Sequence, residues 1–169
     1  MAISEQDRQS TEDAPTWQPR PGSAVLFSCT LNSVRSPIAE ALMKSLTGTR
    51  YYVDSAGLRR AEGTEDNPQA HPMAVRIVGE LGLDLSQHKA KTFHDLRGES
   101  FDLIVALSHE AFEKATEISR LNACQVEFWP VSDPLLVEGN QLNRMAAFRV
   151  LRDELKGRIQ ERFLIAASG

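Results

Sequence analysis

From Ala24 onward the chain alternates between short apolar runs and longer stretches with helical spacing. Ala24-Val-Leu-Phe-Ser-Cys29 is a near-continuous apolar run, the type that forms a strand buried on both faces. Ser36-Pro37 then predicts a helix start, with a capping hydroxyl and proline at the first helical position. Ile38, Leu42 and Leu46 recur at helical spacing, and Gly48 stops the helix. Tyr51-Tyr-Val53 predicts a second strand leading into Asp54-Ser-Ala-Gly57, and the polar stretch from Leu58 to Ala70 reads as loop. Pro72 opens another helix with Val75, Ile77, Val78 and Leu81 facing inward, closed by Gly82. Phe101–Ala106 is a third strand, Ser108 caps the helix after it, and Val126–Trp129 is a fourth strand. Phe148, Leu151, Leu155, Ile159 and Phe163 place a long helix at the end. Strands alternating with helices predict right-handed crossovers and a parallel sheet covered on both faces.

Ahead of this pattern, residues 1–22 show neither period. They are polar and acidic and carry Pro15, Pro19 and Pro21, so a disordered or loosely docked tail is expected, with docking of Trp17 on the domain or a partner the less favoured alternative to a free side chain. Residues 23–169 form one α/β domain. The full 169 residues suffice to bury a core without disulfides or metals.

Composition narrows the classes. A net charge of −4 argues against a nucleic-acid binder, which needs a basic surface. Apolar runs are too short for a membrane-spanning helix, and the N-terminus lacks the basic-then-apolar order of a secretory signal. Two cysteines, Cys29 and Cys124, are too few for a disulfide scaffold and suit a reducing compartment. The four histidines do not combine with them at metal-ligand spacing. The expectation is a cytoplasmic protein with no metal, cofactor, nucleic acid or membrane partner.

The chemistry concentrates in Cys29-Thr-Leu-Asn-Ser-Val-Arg-Ser36, between a strand end and a helix start. Ligands of parallel sheets bind at the carboxyl ends of the strands. A turn of this length can curl its backbone N–H groups toward one point, and the positive helix end adds to that field. Arg35 supplies a planar fork for two phosphate oxygens, which lysine would not match. The same field favours the thiolate form of Cys29, the nucleophilic form of a thiol. Ser36 is placed to hydrogen-bond the sulfur. Without that setting, Cys29 reads as a small apolar strand end and Arg35 as a surface side chain.

With these residues in view, the chain resembles the low-molecular-weight protein tyrosine phosphatase family, which includes thioredoxin-linked arsenate reductases. Five places carry the resemblance: Cys29–Glu40, Asp54–Gly57, His88–Lys91, Phe101–Leu107 and Val131–Pro134. It implies a four-stranded parallel sheet in the order 2-1-3-4, flanked by helices. It implies that Asp133, in its Asp-Pro pair, is the general acid; read alone, the pair is also a turn. It further implies that Asn32 is held by Ser55 and His88, supporting the strained loop around an anion.

The chain departs from the family pattern in four ways. Leu31 stands where glycine is usual, and leucine does not readily adopt positive φ. Val34 replaces a common second cysteine, so no adjacent thiol can shield Cys29 from oxidation. The aromatic walls of the substrate pocket are replaced, at the aligned positions, by Ala61, Leu135 and Leu136. Ser33 is smaller than the aliphatic residue of tyrosine-directed members. The expected activity is phosphomonoester hydrolysis through phosphocysteine, by default on phosphotyrosine, with a phosphorylated protein or small phosphomonoester as partner and phosphate or another oxyanion in the site. Arsenate reduction and a non-catalytic oxyanion-binding module are the alternatives. Arsenate reduction needs a thiol relay, and Cys124 is the only other cysteine.

Overall fold

A computed structural model describes residues 17–165. Four parallel strands, β1 (Ala24–Ser28), β2 (Tyr52–Ala56), β3 (Leu103–Ala106) and β4 (Gln125–Phe128), pair in the order β2-β1-β3-β4. This is the expected topology. Helix α1 (Arg35–Thr47) follows β1, α2 (Pro72–Gly79) follows β2, α3 (His109–Ser119) follows β3, and α4 (Gln141–Ile159) ends in a π-helical turn over Gln160–Ile165. No helix among the described residues is long and apolar enough to cross a membrane.

Strand residues alternate between two cores. Val25, Phe27, Leu103 and Val105 face one side and pack with α1, α2 and α4 through Ile38, Leu42, Ile77, Phe148 and Leu155, all essentially without solvent exposure. Leu26, Ala56 and Ile104 face the other side, where Leu96 and Ala115 complete a much smaller core. Period-two alternation on the strands and period-3.6 on the helices therefore meet in one sheet with both faces covered.

Several expectations shift in detail. The second strand starts one residue late and runs through Asp54-Ser-Ala56, placing the polar motif inside the sheet. Ser36 is not a cap: α1 begins at Arg35, Val34 precedes it, and no side chain caps its first turn. The Ser36 hydroxyl points to Cys29 instead. Leu81 lies beyond α2 and is exposed, because the helix ends at Gly79 before Leu81 can turn inward. Gly48 does stop α1, at φ 59° and ψ −128°, a backbone conformation open mainly to glycine.

Most of the expected tail of residues 1–22 lies outside the described residues. Trp17 packs against the larger core, the less favoured of the two expectations for it. Arg162 Nη2 donates to the Trp17 carbonyl at 2.8 Å, and its guanidinium sits over the indole at 5.9 Å. The same guanidinium grips Glu127 of β4, so three elements close around one arginine.

Candidate active site

All four carboxyl strand ends open onto one cavity of about 390 Å³. Its floor is Cys29, Thr30, Leu31, Ser33, Val34 and Arg35, the turn between β1 and α1. Among the described residues, the backbone N–H groups of Thr30, Leu31, Asn32, Ser33 and Val34 reach no acceptor. Unpaired donors at an uncapped helix start form an anion cradle.

Asn32 shapes the turn. It is fully buried and is the only non-glycine residue among the described residues with positive φ, at 55°. Asparagine tolerates this conformation better than most residues. The expected strain at Leu31 therefore does not arise, since the left-handed position falls one residue later. The Lys91 N–H donates to Asn32 Oδ1 at 2.9 Å, which fixes the amide orientation. Asn32 Nδ2 then donates to Ser36 Oγ at 2.8 Å and Ser55 Oγ at 2.9 Å. Ser36 accepts from Asn32, so its own hydrogen is free for Cys29 Sγ, 2.9 Å away. Ser55 passes its hydrogen to Glu40 Oε1 at 2.6 Å.

Glu40 was not foreseen as part of this chain, although it lies within the Cys29–Glu40 motif. Burial would push its carboxyl up, but hydrogen bonds from Lys44 and Ser55 and the charges of Lys44 and Lys91 hold it below the usual range. A carboxylate that only accepts fixes the direction of every donor up to the sulfur. His88 Nε2 lies 3.1 Å from the Asn32 carbonyl, as the resemblance implies.

Gly57 sets the turn from behind. A Cβ there would sit 2.8 Å from Asn32 N, 2.9 Å from the Leu31 carbonyl carbon and 2.9 Å from Thr30 O. These are backbone atoms that cannot swing aside. Gly57→Ala should cost about 1–3 kcal/mol in urea unfolding. It should also weaken orthovanadate inhibition, because the turn that carries the cradle is the part displaced.

Facing the turn, Asp133 Oδ2 lies 3.8 Å from Arg35 Nη2. Its Oδ1 accepts from Leu135 N at 3.0 Å and caps the short 3₁₀ turn Pro134–Leu136. One oxygen is thus spent on local geometry while the other faces the cavity. Leu135 and Leu136 line the wall as expected. Ala61 does not; Arg59 and Glu110, paired at 3.1 Å, occupy that side. Arg59 reaches the rim from the turn after Gly57, whereas Arg60 turns away to pair with Asp95 at 2.7 Å.

Sequence reasoning also missed Ser108 as a site residue, reading it only as a cap. Its hydroxyl does cap α3, accepting from Ala111 N at 3.2 Å, and it also accepts from Thr30 Oγ1 at 3.2 Å. Applying the strand-end rule to β2 and β3 would have found Arg59, Ser108 and Glu110.

Two histidines tie the site to pH. Burial pushes His88 below its ordinary value, helped by Lys91 and opposed by the Asn32 carbonyl, Glu40 and Asp54. Burial likewise lowers His71, helped by Arg144 and opposed by Asp133. His71 Nδ1 must be unprotonated to accept from Met73 N at 3.1 Å, and its backbone N–H holds the Ser33 carbonyl at 2.9 Å. For both groups the folded state resists a proton that the unfolded chain takes near about pH 6.5. Stability is therefore full above that pH and falls as pH drops below it toward the lower folded values. Urea midpoints should decline between about pH 7 and 5.5, and His71→Asn with His88→Gln should flatten the decline.

Known proteins resemble this chain in sequence and fold. The family described as low molecular weight phosphotyrosine protein phosphatase matches residues 24–163. An arsenate reductase of Halalkalibacterium halodurans is 33% identical over 136 residues, 80% of this chain and 91% of that protein. A low molecular weight protein tyrosine phosphatase from T. tengcongensis is 27% identical, with a TM-score of 0.65 over 83% of this chain and 97% of the other. A YwlE arginine phosphatase mutant with a phosphorylated active site serine is 25% identical, with a TM-score of 0.65 over 82% of this chain and 91% of the other. With its cradle, its parallel sheet and a family match spanning nearly the whole domain, the chain belongs to the low molecular weight phosphotyrosine protein phosphatase family.

Proposed function

We propose that this protein hydrolyses phosphomonoesters through a phosphocysteine at Cys29, in the reducing setting of the cytoplasm. The observation that carries this reading is the Cys29 sulfur at the floor of the cradle, with the Ser36 hydroxyl directed at it and Arg35 and Asp133 facing each other across the opening. The Cys29 thiolate attacks phosphorus and an S–P bond forms. The P–O bond to the leaving group breaks, and Asp133 gives that oxygen a proton. Water then attacks phosphorus, returning a proton to Asp133 and breaking the S–P bond. Arg35 and the loop N–H groups hold the three equatorial oxygens throughout. The relative carrying a phosphorylated active site serine supports a phosphoenzyme on the nucleophile position.

The pocket walls argue against a strict preference for phenols. Leu31, Leu135 and Leu136 line them where ring stacking would otherwise add about 0.5–1.5 kcal/mol per aromatic pair. Slimmer phosphorylated groups, including phosphoarginine, fit this reading as well as phosphotyrosine. The test is hydrolysis of p-nitrophenyl phosphate, phosphotyrosine peptide and phosphoarginine in chelator, with orthovanadate as inhibitor. Hydrolysis without added metal supports the reading; vanadate-insensitive or absent turnover on all three sinks it.

Arsenate reduction is the second reading, favoured by the name of the Halalkalibacterium relative. In that chemistry Cys29 forms an S–As(V) bond as water leaves. A second thiol then attacks the Cys29 sulfur, making a disulfide as the S–As bond breaks and its electron pair departs with arsenic, now arsenic(III). Strand register places Cys124 level with Ala24 but two strands across, and Cys29 five residues further along, which is roughly 16 Å along the strands and roughly 10 Å across them. A disulfide allows about 7 Å between Cα atoms at most. Burial, with Asp102 nearby, also pushes the Cys124 thiol up to about 11. Reduction would therefore need an external thiol, and a coupled assay with glutathione or thioredoxin and arsenate decides whether one serves.

A further inference from the structure

On the sheet face opposite α1 and α4 lies a second cavity of about 500 Å³, larger than the first. It exists because this core is thin. Only five buried apolar residues, two of them the alanines Ala56 and Ala115, make up the core on this face. Leu26 and Ile104 form its floor on the sheet, and Phe93, Leu96, Phe101 and Ile118 form its walls. At the mouth stand His94, Arg97 and Lys114, against the single carboxylate of Glu99. Arg97 donates to His94 Nε2 at 3.1 Å and has no carboxylate partner among the described residues. Lys114 meets Glu117 only at 3.7 Å. None of these side chains takes part in the chemistry at Cys29.

We propose that this cavity binds an amphipathic anion, with its apolar body on Leu26 and Ile104 and its acidic head at Arg97 and Lys114. The volume falls within the about 300–1,000 Å³ of small-molecule sites. An apolar interior with a few charges at one end is the arrangement that recognises such a ligand. An uncharged apolar molecule would satisfy the floor alone and leave Arg97 without an anionic partner. A bare phosphate would satisfy the cations and gain nothing from the walls.

The probe is decanoate below its micelle concentration, with decanol as the uncharged control. Binding to the full chain is followed by calorimetry and by methyl shifts of Leu26 and Ile104. Saturable decanoate binding with shifts at both methyls is expected. Arg97→Ala with Lys114→Ala, both at solvent-facing positions, should weaken decanoate roughly 5–30-fold and leave decanol within about 2-fold. Ile118→Trp, which fills the wall, should abolish both; Leu96→Phe serves the same purpose if that variant fails to fold. Absence of saturable binding, shifts confined to the Cys29 cavity, or wild-type decanoate affinity in the double variant would overturn the proposal. None of these results bears on hydrolysis at Cys29, so the two readings stand or fall separately.

Discussion

Replacing Cys29 by serine should lower turnover of p-nitrophenyl phosphate by roughly 10⁴–10⁶-fold, the loss seen when a covalent nucleophile is removed. The change exchanges sulfur for oxygen at a site only 2% exposed. The cradle, Arg35 and Asp133 all remain. Serine is a far poorer nucleophile than a thiolate, and a hydrogen bond from Ser36 cannot ionise an alcohol. Orthovanadate binding by calorimetry should survive within an order of magnitude, which separates lost chemistry from lost folding. Trace phosphate transfer that stalls on the new serine is the expected residual activity. Comparable turnover in the variant would mean that another group attacks phosphorus.

Asp133→Asn should reduce turnover by about 10²–10⁴-fold, the range for removing a general acid. The distinguishing feature is its dependence on the leaving group. An alkyl phosphate needs a proton on the departing oxygen, whereas p-nitrophenolate leaves nearly unaided. The loss should therefore be near the top of that range for an alkyl phosphate and near the bottom for p-nitrophenyl phosphate. Asparagine keeps the Oδ1 acceptor that caps the 3₁₀ turn at Leu135, so the loop geometry survives. It does remove the ion pair with Arg35, and a uniform loss across leaving groups would assign Asp133 to positioning Arg35 instead.

The fold was legible because its signals are periodic. Val25, Phe27, Leu103 and Val105 come from runs too apolar for one-sided strands, and the helical stripes of α1 and α4 supply what covers them. Where the reading slipped, a local signal competed with tertiary geometry. Ser36 has the residue type of a cap, yet its hydroxyl is taken by Cys29 and Asn32. Leu81 continued an apolar spacing beyond the point where the helix had ended.

The floor of the site was equally legible, since one continuous motif builds it. Its walls were not. Arg59, Ser108 and Glu110 come from separate strand ends, and only the three-dimensional meeting of β2 and β3 with β1 brings them to one rim. That Ala61 lies off the cavity shows the same limit, because loop length between Gly57 and α2 does not reveal where the chain turns away. Glu40 escaped notice because it touches the sulfur only through Ser55, Asn32 and Ser36 in turn.

Hydrolysis at this site turns on a covalent bond between phosphorus and one sulfur. Rapid acid quench during p-nitrophenyl phosphate turnover, followed by peptide mapping, should recover a phosphoryl group on Cys29 that forms at least as fast as the steady-state rate. Turnover with Cys29 unmodified, or with the phosphoryl group on any other residue, would contradict it.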